Sequence, residues 1–275
     1  MNALALPDAE FRLDGGAMFG VVPRTLWEKV APPDAHNRIL LNANCLFLAT
    51  GTERIIIETG LGDKWTPRLA EIYGLARQRS LSETLLAITG YTAAEITLVI
   101  NTHLHFDHAG GNTTRNQHGD IVPTFSHARY LVARAEYEHA ETPNERDRAS
   151  YLPENWRPVR DSGQLELMPD DYEAVPGLRL ETVRGHNASM QCWRLDHAGQ
   201  TVYGFADLIP TRAHVALAWI MGYDLFPVET LAAKKRLLSQ AARENWQCFL
   251  YHEPAGPFWR IVEEDGKYKP VKIYE

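Results

Sequence analysis

Three cysteines in 275 residues, Cys45, Cys192 and Cys248, leave one unpaired however they are matched, and each lies in an apolar or strand-like stretch. That usage excludes a small disulfide-stapled scaffold and fits reduced, buried thiols. Basic tracts are absent, and 28 Lys and Arg against 35 Asp and Glu leave a formal net charge of −7, so nucleic acid is not the expected partner. Long apolar runs are absent too, which excludes a membrane span. Asp8 and Glu10 precede any apolar stretch, so no signal-peptide pattern is read there and the cytoplasm is the expected location. Neither a repeat nor a clear linker interrupts the chain. Its length and 45% hydrophobic content suit one large α/β domain over 1–275.

What is present is a dense cluster of donors. His103-Leu104-His105-Phe106-Asp107-His108 sets three imidazoles and a carboxylate directly after the apolar run Ile96-Thr97-Leu98-Val99-Ile100. Along an extended segment His103 and His105 share a face, and a bend near Asp107 is needed to bring that carboxylate and His108 to the same region. Gly110-Gly111 follows, and paired glycines let the backbone pass close to a metal centre where a Cβ would obstruct it. Four donors so close suggest two cations, each completed by remote ligands. A solvated His-rich turn is the plain alternative, but it would need neither the apolar strand before it nor the glycine pair after it.

Around this cluster, Ile39 to Ala49 and Arg54 to Ile57 read as a hairpin turning at Thr50-Gly51-Thr52. Ser80 with Glu83 and Thr92 with Glu95 have capping-box spacing, and Gly90 is placed to end the intervening helix. Residues 128–160 lack strand alternation and read as helix and long loop, a candidate lid or simply a solvated face. Strands follow at Leu178 to Val183, Gln191 to Leu195, Thr201 to Phe205 and Gln247 to Tyr251. Thr230 to Asn245 reads as a helix with Leu231, Leu237, Leu238 and Ala241 on its stripe. Asp265-Gly266 turns Trp259 to Val262 into Val271 to Tyr274. His36, His118, His127, His139 and His197 lie in polar stretches and read as solvent-facing. His214 reads as either a packing or a pocket residue.

Thr102 to Asn112 resembles the H-x-H-x-D-H signature of the metallo-β-lactamase superfamily, in the form found in quorum-quenching lactonases and related hydrolases. The resemblance covers most of the chain, because Gly185-His186, Phe205-Ala206-Asp207 and Tyr251-His252 follow in the family's order. It implies that His103, His105 and His186 hold one metal, that Asp107, His108 and His252 hold the other, and that Asp207 bridges them. The sheet-rich halves, each supplying donors from strand ends, then imply a four-layer αββα sandwich. Two divalent metal ions are expected, zinc foremost, although imidazole and carboxylate also accept iron, manganese or cobalt.

The chemistry expected is attack by a metal-bridging hydroxide on a hydrophobic ester or lactone, with Asp107 as proton carrier. Thioesters and phosphotriesters are alternative substrates for the same centre, and a diiron redox protein is the rival class. A small molecule is the expected partner, without nucleic acid or membrane, and a homodimer stays open. Two positions depart from the family. Glu58-Thr59-Gly60 stands where Asp-Thr-Gly is common, so Glu58 carries the support of a ligand histidine on a longer side chain. Pro210 stands where bacterial acyl-homoserine lactonases place a Tyr. Phe106, Trp219, Met221 and Tyr223 are candidate substrate contacts, with Met18 and Phe19 as further candidates for an apolar wall.

Overall fold

An extended segment that the sequence pattern does not announce comes first in the chain. Strand β1, Ala3–Asp14, interleaves Asp8, Glu10 and Arg12 with buried Leu6 and Phe11, which masks its period. Asp8 itself is buried, where its carboxylate accepts from the Leu61 amide at 2.8 Å and pairs with Arg77 at 2.7 Å. The computed structural model describes residues 3–273, so Tyr274 of the expected closing strand lies outside the described residues. Contacts divide the chain into two compact units, 1–11 with 42–169 and 12–41 with 170–275, and the boundary runs through β1 and β2 (Arg38–Ala49).

In the first unit β2 turns into β3 (Arg54–Ile57) as an antiparallel hairpin, and β3 pairs in parallel with β4 (Leu98–Ile100). A small hairpin, β5 (Thr113–Arg115) and β6 (Ile121–Pro123), precedes β7 (Arg129–Ala133) and β8 (Leu165–Met168). The sheet order is β1-β2-β3-β4-β7-β8. Strand β7 corrects the expectation of helix and loop throughout 128–160. It lies between two parallel neighbours with Tyr130, Leu131, Val132 and Ala133 buried, and a strand covered on both faces shows no alternation. Helix Arg134–Glu141 follows it.

Local signals fare well where their chemistry is short-range. Ser80 caps the helix Leu81–Thr89, with the Ser80 amide donating to Glu83 Oε2 at 2.8 Å, and Gly90 ends it at φ 77°. The Thr92 and Glu95 box also forms, but on a single 3₁₀ turn, Ala93–Glu95, because β4 begins too soon for a helix to continue.

The second unit holds a seven-stranded sheet of order β15-β14-β13-β12-β11-β10-β9. Its strands are β9 (Tyr172–Val175), β10 (Leu178–Thr182), β11 (Gln191–His197), β12 (Gln200–Gly204), β13 (Gln247–Phe249), β14 (Phe258–Glu264) and β15 (Lys267–Lys272). All neighbours are antiparallel except β12 and β13, which are joined by the helix Pro227–Glu244. A parallel pair needs such a crossover. The helix buries Leu237, Leu238 and Ala241 in the unit's core, each leucine contributing roughly 1.5–3 kcal/mol. The expected stripe is corrected at one place: Leu231 is half-buried, while Lys234 is fully buried and donates to the carbonyls of Ala216 and Trp219 at 2.8 Å each.

Candidate metal centre

Parallel strands deliver their C-terminal ends to one edge of a sheet, and both units use this. In the first, Ile57 lies opposite Ile100, so Glu58 and the segment from Asn101 to His105 emerge side by side. His105 closes that segment in extended conformation at φ −61°, ψ 154° and heads the helix Phe106–Ala109, whose first turn carries Asp107 and His108. This is the bend that the motif required. His103 and His108 are fully buried, and His105 and Asp107 are 7% and 6% exposed.

The His103 ring centroid lies 4.6 Å from that of His105 and 4.0 Å from that of His108. Three imidazoles so close and so dry cannot all carry protons, since each charge would lack solvent and repel the next. Neutral rings offering lone pairs to a cation suit the arrangement. Support comes from behind: Glu58 Oε1 lies 3.3 Å from His108 Nδ1 and accepts the Thr102 amide at 3.2 Å and the Thr102 hydroxyl. Thr102 Oγ1 is in turn 3.0 Å from His103 Nδ1. Glu58 adopts φ 62°, a left-handed conformation unusual for a non-glycine residue. Glu58, His103 and His108 together place donor atoms within 4.8 Å of one another.

Gly110 and Gly111 are needed for a reason different from the expected one. A Cβ on Gly110 would sit 2.3 Å from the Leu61 carbonyl oxygen, and one on Gly111 would sit 2.2 Å from that of Thr59. The close approach is therefore to the backbone after β3. Phe106 packs with Trp65 and Tyr73 at centroid distances of 5.5 and 5.1 Å, an aromatic group that the sequence reading missed because no period links those positions. Burial and the charge of Asp107 raise the Tyr73 phenol above its ordinary pKa.

In the second unit Gly204 lies opposite Phe249, so the residues after β12 and β13 emerge together. Ala206 takes φ 46° and turns Asp207 out of the strand end, and the His252 amide donates to the Pro210 carbonyl at 2.9 Å. Pro210, which has no hydroxyl to offer, thus anchors His252. His186 lies in the turn between β10 and β11, at the same end of the sheet because β11 runs antiparallel to β12. All three side chains are buried. Asp207 Oδ2 is 3.4 Å from His186 Nε2, and Asp207 Oδ1 is 3.2 Å from His252 Nε2. Asp224, another residue the sequence did not single out, accepts from His186 Nδ1 at 3.0 Å and from the Thr230 hydroxyl at 2.7 Å.

Of the candidate contacts, Trp219 is half-buried, Met221 is 5% exposed and Tyr223 is 39% exposed. Met18 and Phe19 are core residues; Phe19 stacks on Trp27 and on His214. His214 resolves as a packing residue. It is 1% exposed, Nε2 donates to the Met18 carbonyl at 2.8 Å and Nδ1 lies 2.8 Å from the Thr211 hydroxyl, and burial pushes its pKa down to about 3. His36, His118, His127 and His197 are exposed as expected. His139 is not simply solvent-facing, for Nε2 lies 2.6 Å from Asp147. The three cysteines are free and buried.

The chain is similar to known proteins in sequence and in fold. The family model described as the metallo-beta-lactamase superfamily matches residues 38–252. An N-acyl homoserine lactonase of Bacillus cereus is 29% identical over 164 residues, spanning 56% of this chain and 58% of that relative. A probable metal-dependent hydrolase from Staphylococcus aureus superposes with a TM-score of 0.89 at 26% identity, covering 100% of this chain and 98% of its own. AidC, described as a dizinc quorum-quenching lactonase in complex with a product, superposes with a TM-score of 0.80 at 17% identity, covering 99% and 94%.

Proposed function

This chain belongs to the metallo-beta-lactamase superfamily and has its fold, and from that premise we propose that it is a dinuclear metal-dependent hydrolase acting on a hydrophobic ester or lactone. In this reading the two units work as one hydrolase domain. His103, His105 and His186 hold one ion, Asp107, His108 and His252 hold the other, and Asp207 lies between. The observation that carries the reading is the spacing around Asp207. Its two oxygens stand 3.4 and 3.2 Å from two histidine Nε2 atoms. Those are long for hydrogen bonds between such groups, yet two donors bound at ~2.0–2.1 Å to one tetrahedral zinc stand about 3.3 Å apart. One carboxylate with each oxygen beside a different histidine suits a bridge.

Divalent cations held here would lower the pKa of a coordinated water towards neutrality and polarise a scissile carbonyl. The protein's own groups supply orientation and proton transfer. Asp107 accepts the proton of the attacking water and returns it to the leaving alkoxide. Asp224, accepting at His186 Nδ1, sets the tautomer that leaves its Nε2 as the donor atom. Phe106, Trp219, Met221 and Tyr223 contact the apolar part of the substrate, with Trp65 and Tyr73 extending the wall around Phe106.

Zinc analysis and a substrate panel test this together. Metal-replete protein should hold two zinc ions per chain, and simple aryl esters and lactones should be turned over faster than thioesters or phosphotriesters. One ion per chain overturns the dinuclear reading. Acyl-homoserine lactones should be weak substrates because Pro210 offers no donor to the carbonyl, a loss on the order of 10²-fold. Acyl-homoserine lactonase activity exceeding that on aryl esters would refute the argument from Pro210.

A further inference from the structure

His103, His108 and His186 each have an oxygen beside Nδ1, from Thr102, Glu58 and Asp224. Beside His105 stands a ring. Tyr151, 4% exposed, stands edge-to-face against it at a centroid distance of 4.6 Å and an interplanar angle of 70°, and a β-bridge joins the two residues. The Tyr151 hydroxyl donates to Glu136 Oε1 at 3.0 Å. The same oxygen accepts the amide of Leu104 at 2.9 Å, the residue between His103 and His105.

Glu136 is 0% exposed, in the first turn of a helix whose other acids face solvent or surface arginines. A buried carboxylate is unfavourable unless it is well hydrogen-bonded, and an apolar side chain would stabilise the helix at least as well. Its placement is accounted for by what it holds: the backbone of the donor motif and the ring that faces His105. A second clasp ties the same segment down. His139, three residues further along the helix, pairs with Asp147 at 2.6 Å and lays its ring 5.4 Å from that of Tyr151.

We infer that Tyr151 is a positioning residue for His105, locked by Glu136 and by the His139 and Asp147 pair, so that the loop carrying it is part of the metal centre's framework. The inference rests on the metal assignment proposed above. It requires that disturbing Tyr151 alter one metal site selectively, because His105 belongs with His103 and His186 and not with the second set.

The test measures zinc binding by chelator competition, using zinc ion alone, on wild type, Tyr151→Leu, Tyr151→Phe and Glu136→Gln, alongside the melting of each metal-stripped protein. Tyr151→Leu should weaken one of the two zinc ions by ~10- to 100-fold and leave the other nearly unchanged. Glu136→Gln keeps the acceptor oxygen, so it should stay close to wild type, whereas Tyr151→Phe keeps the ring but frees it from Glu136 and should weaken the same ion, by less than Tyr151→Leu does. If Tyr151→Leu does not fold, Glu136→Leu, which removes the anchor and retains volume, should show the same selective loss. Unchanged affinities, or equal weakening of both ions in step with a lowered melting point, would overturn the inference while leaving the proposed function standing. Wild-type protein that holds fewer than two zinc ions would overturn both.

Discussion

Replacing Asp224 probes how far a group that touches no substrate controls the centre. Asp224 Oδ1 accepts from His186 Nδ1 at 3.0 Å and Oδ2 accepts from the Thr230 hydroxyl at 2.7 Å, with the carboxylate 3% exposed. The backbone around His186 is held separately, since the Leu225 and Phe226 amides donate at 2.9 Å to the carbonyls of His186 and Gly185. Asp224→Ala should therefore release the imidazole ring and leave its loop in place. Freed from its acceptor, the ring loses both its fixed tautomer and the added basicity that the carboxylate confers on Nε2. Outer partners of this kind contribute ~10- to 100-fold in metal affinity, or about 1.4–2.8 kcal/mol. Asp224→Asn keeps an acceptor oxygen and loses the charge, so it should fall at the lower end. Zinc affinity measured by chelator competition gives the number, and circular dichroism of the metal-stripped variants checks the fold. Zinc affinity within twofold of wild type in a folded Asp224→Ala protein would refute the reasoning, because it would mean that His186 is oriented without its partner or does not hold metal.

Two further outcomes follow from the same geometry. Gly111→Ala, whose Cβ would stand 2.2 Å from the Thr59 carbonyl oxygen, should lower the unfolding free energy by ~1–3 kcal/mol in urea, whereas Gly51→Ala, with nothing within 4 Å, should change it by no more than ~0.5 kcal/mol; equal effects would show that the loop after β3 yields. Lys234, whose pKa burial lowers from 10.5 to about 7, binds fewer protons folded than unfolded across that interval, so its contribution to stability rises with pH from about 7 to 10.5. Unfolding measured at both ends should show wild type gaining on Lys234→Met as pH rises, and parallel pH profiles would contradict the burial of a lysine that titrates there.

The donor motif, the capping boxes and the tight turns were legible in the chain because each rests on chemistry within a few residues. His103 to His108 announces a cation site by composition alone, and Ser80 with Glu83, Gly90 and Asp265-Gly266 specify their own backbone through side-chain hydrogen bonds or tolerance of positive φ. Order along the chain was enough to point to His186, Asp207 and His252, which fall where the family resemblance calls for donors. Of the polar partners behind these donors, Glu58 was legible only through the family resemblance. Asp224 was not, because it lies 38 residues from His186, a distance over which no local pattern operates. Strand β7 was hidden because burial on both faces erases alternation, and β1 because its acids and arginine break it up. Glu136 falls in the stretch read as a lid or solvated face and Lys234 was left off its helix's apolar stripe, since a sequence shows that a side chain is charged but not that its helix turns it inward. Which charges are buried, and what they hold, is decided by packing: a buried carboxylate or ammonium is tolerable only where the fold brings hydrogen-bonding partners to it, and those partners come from elements distant in the chain.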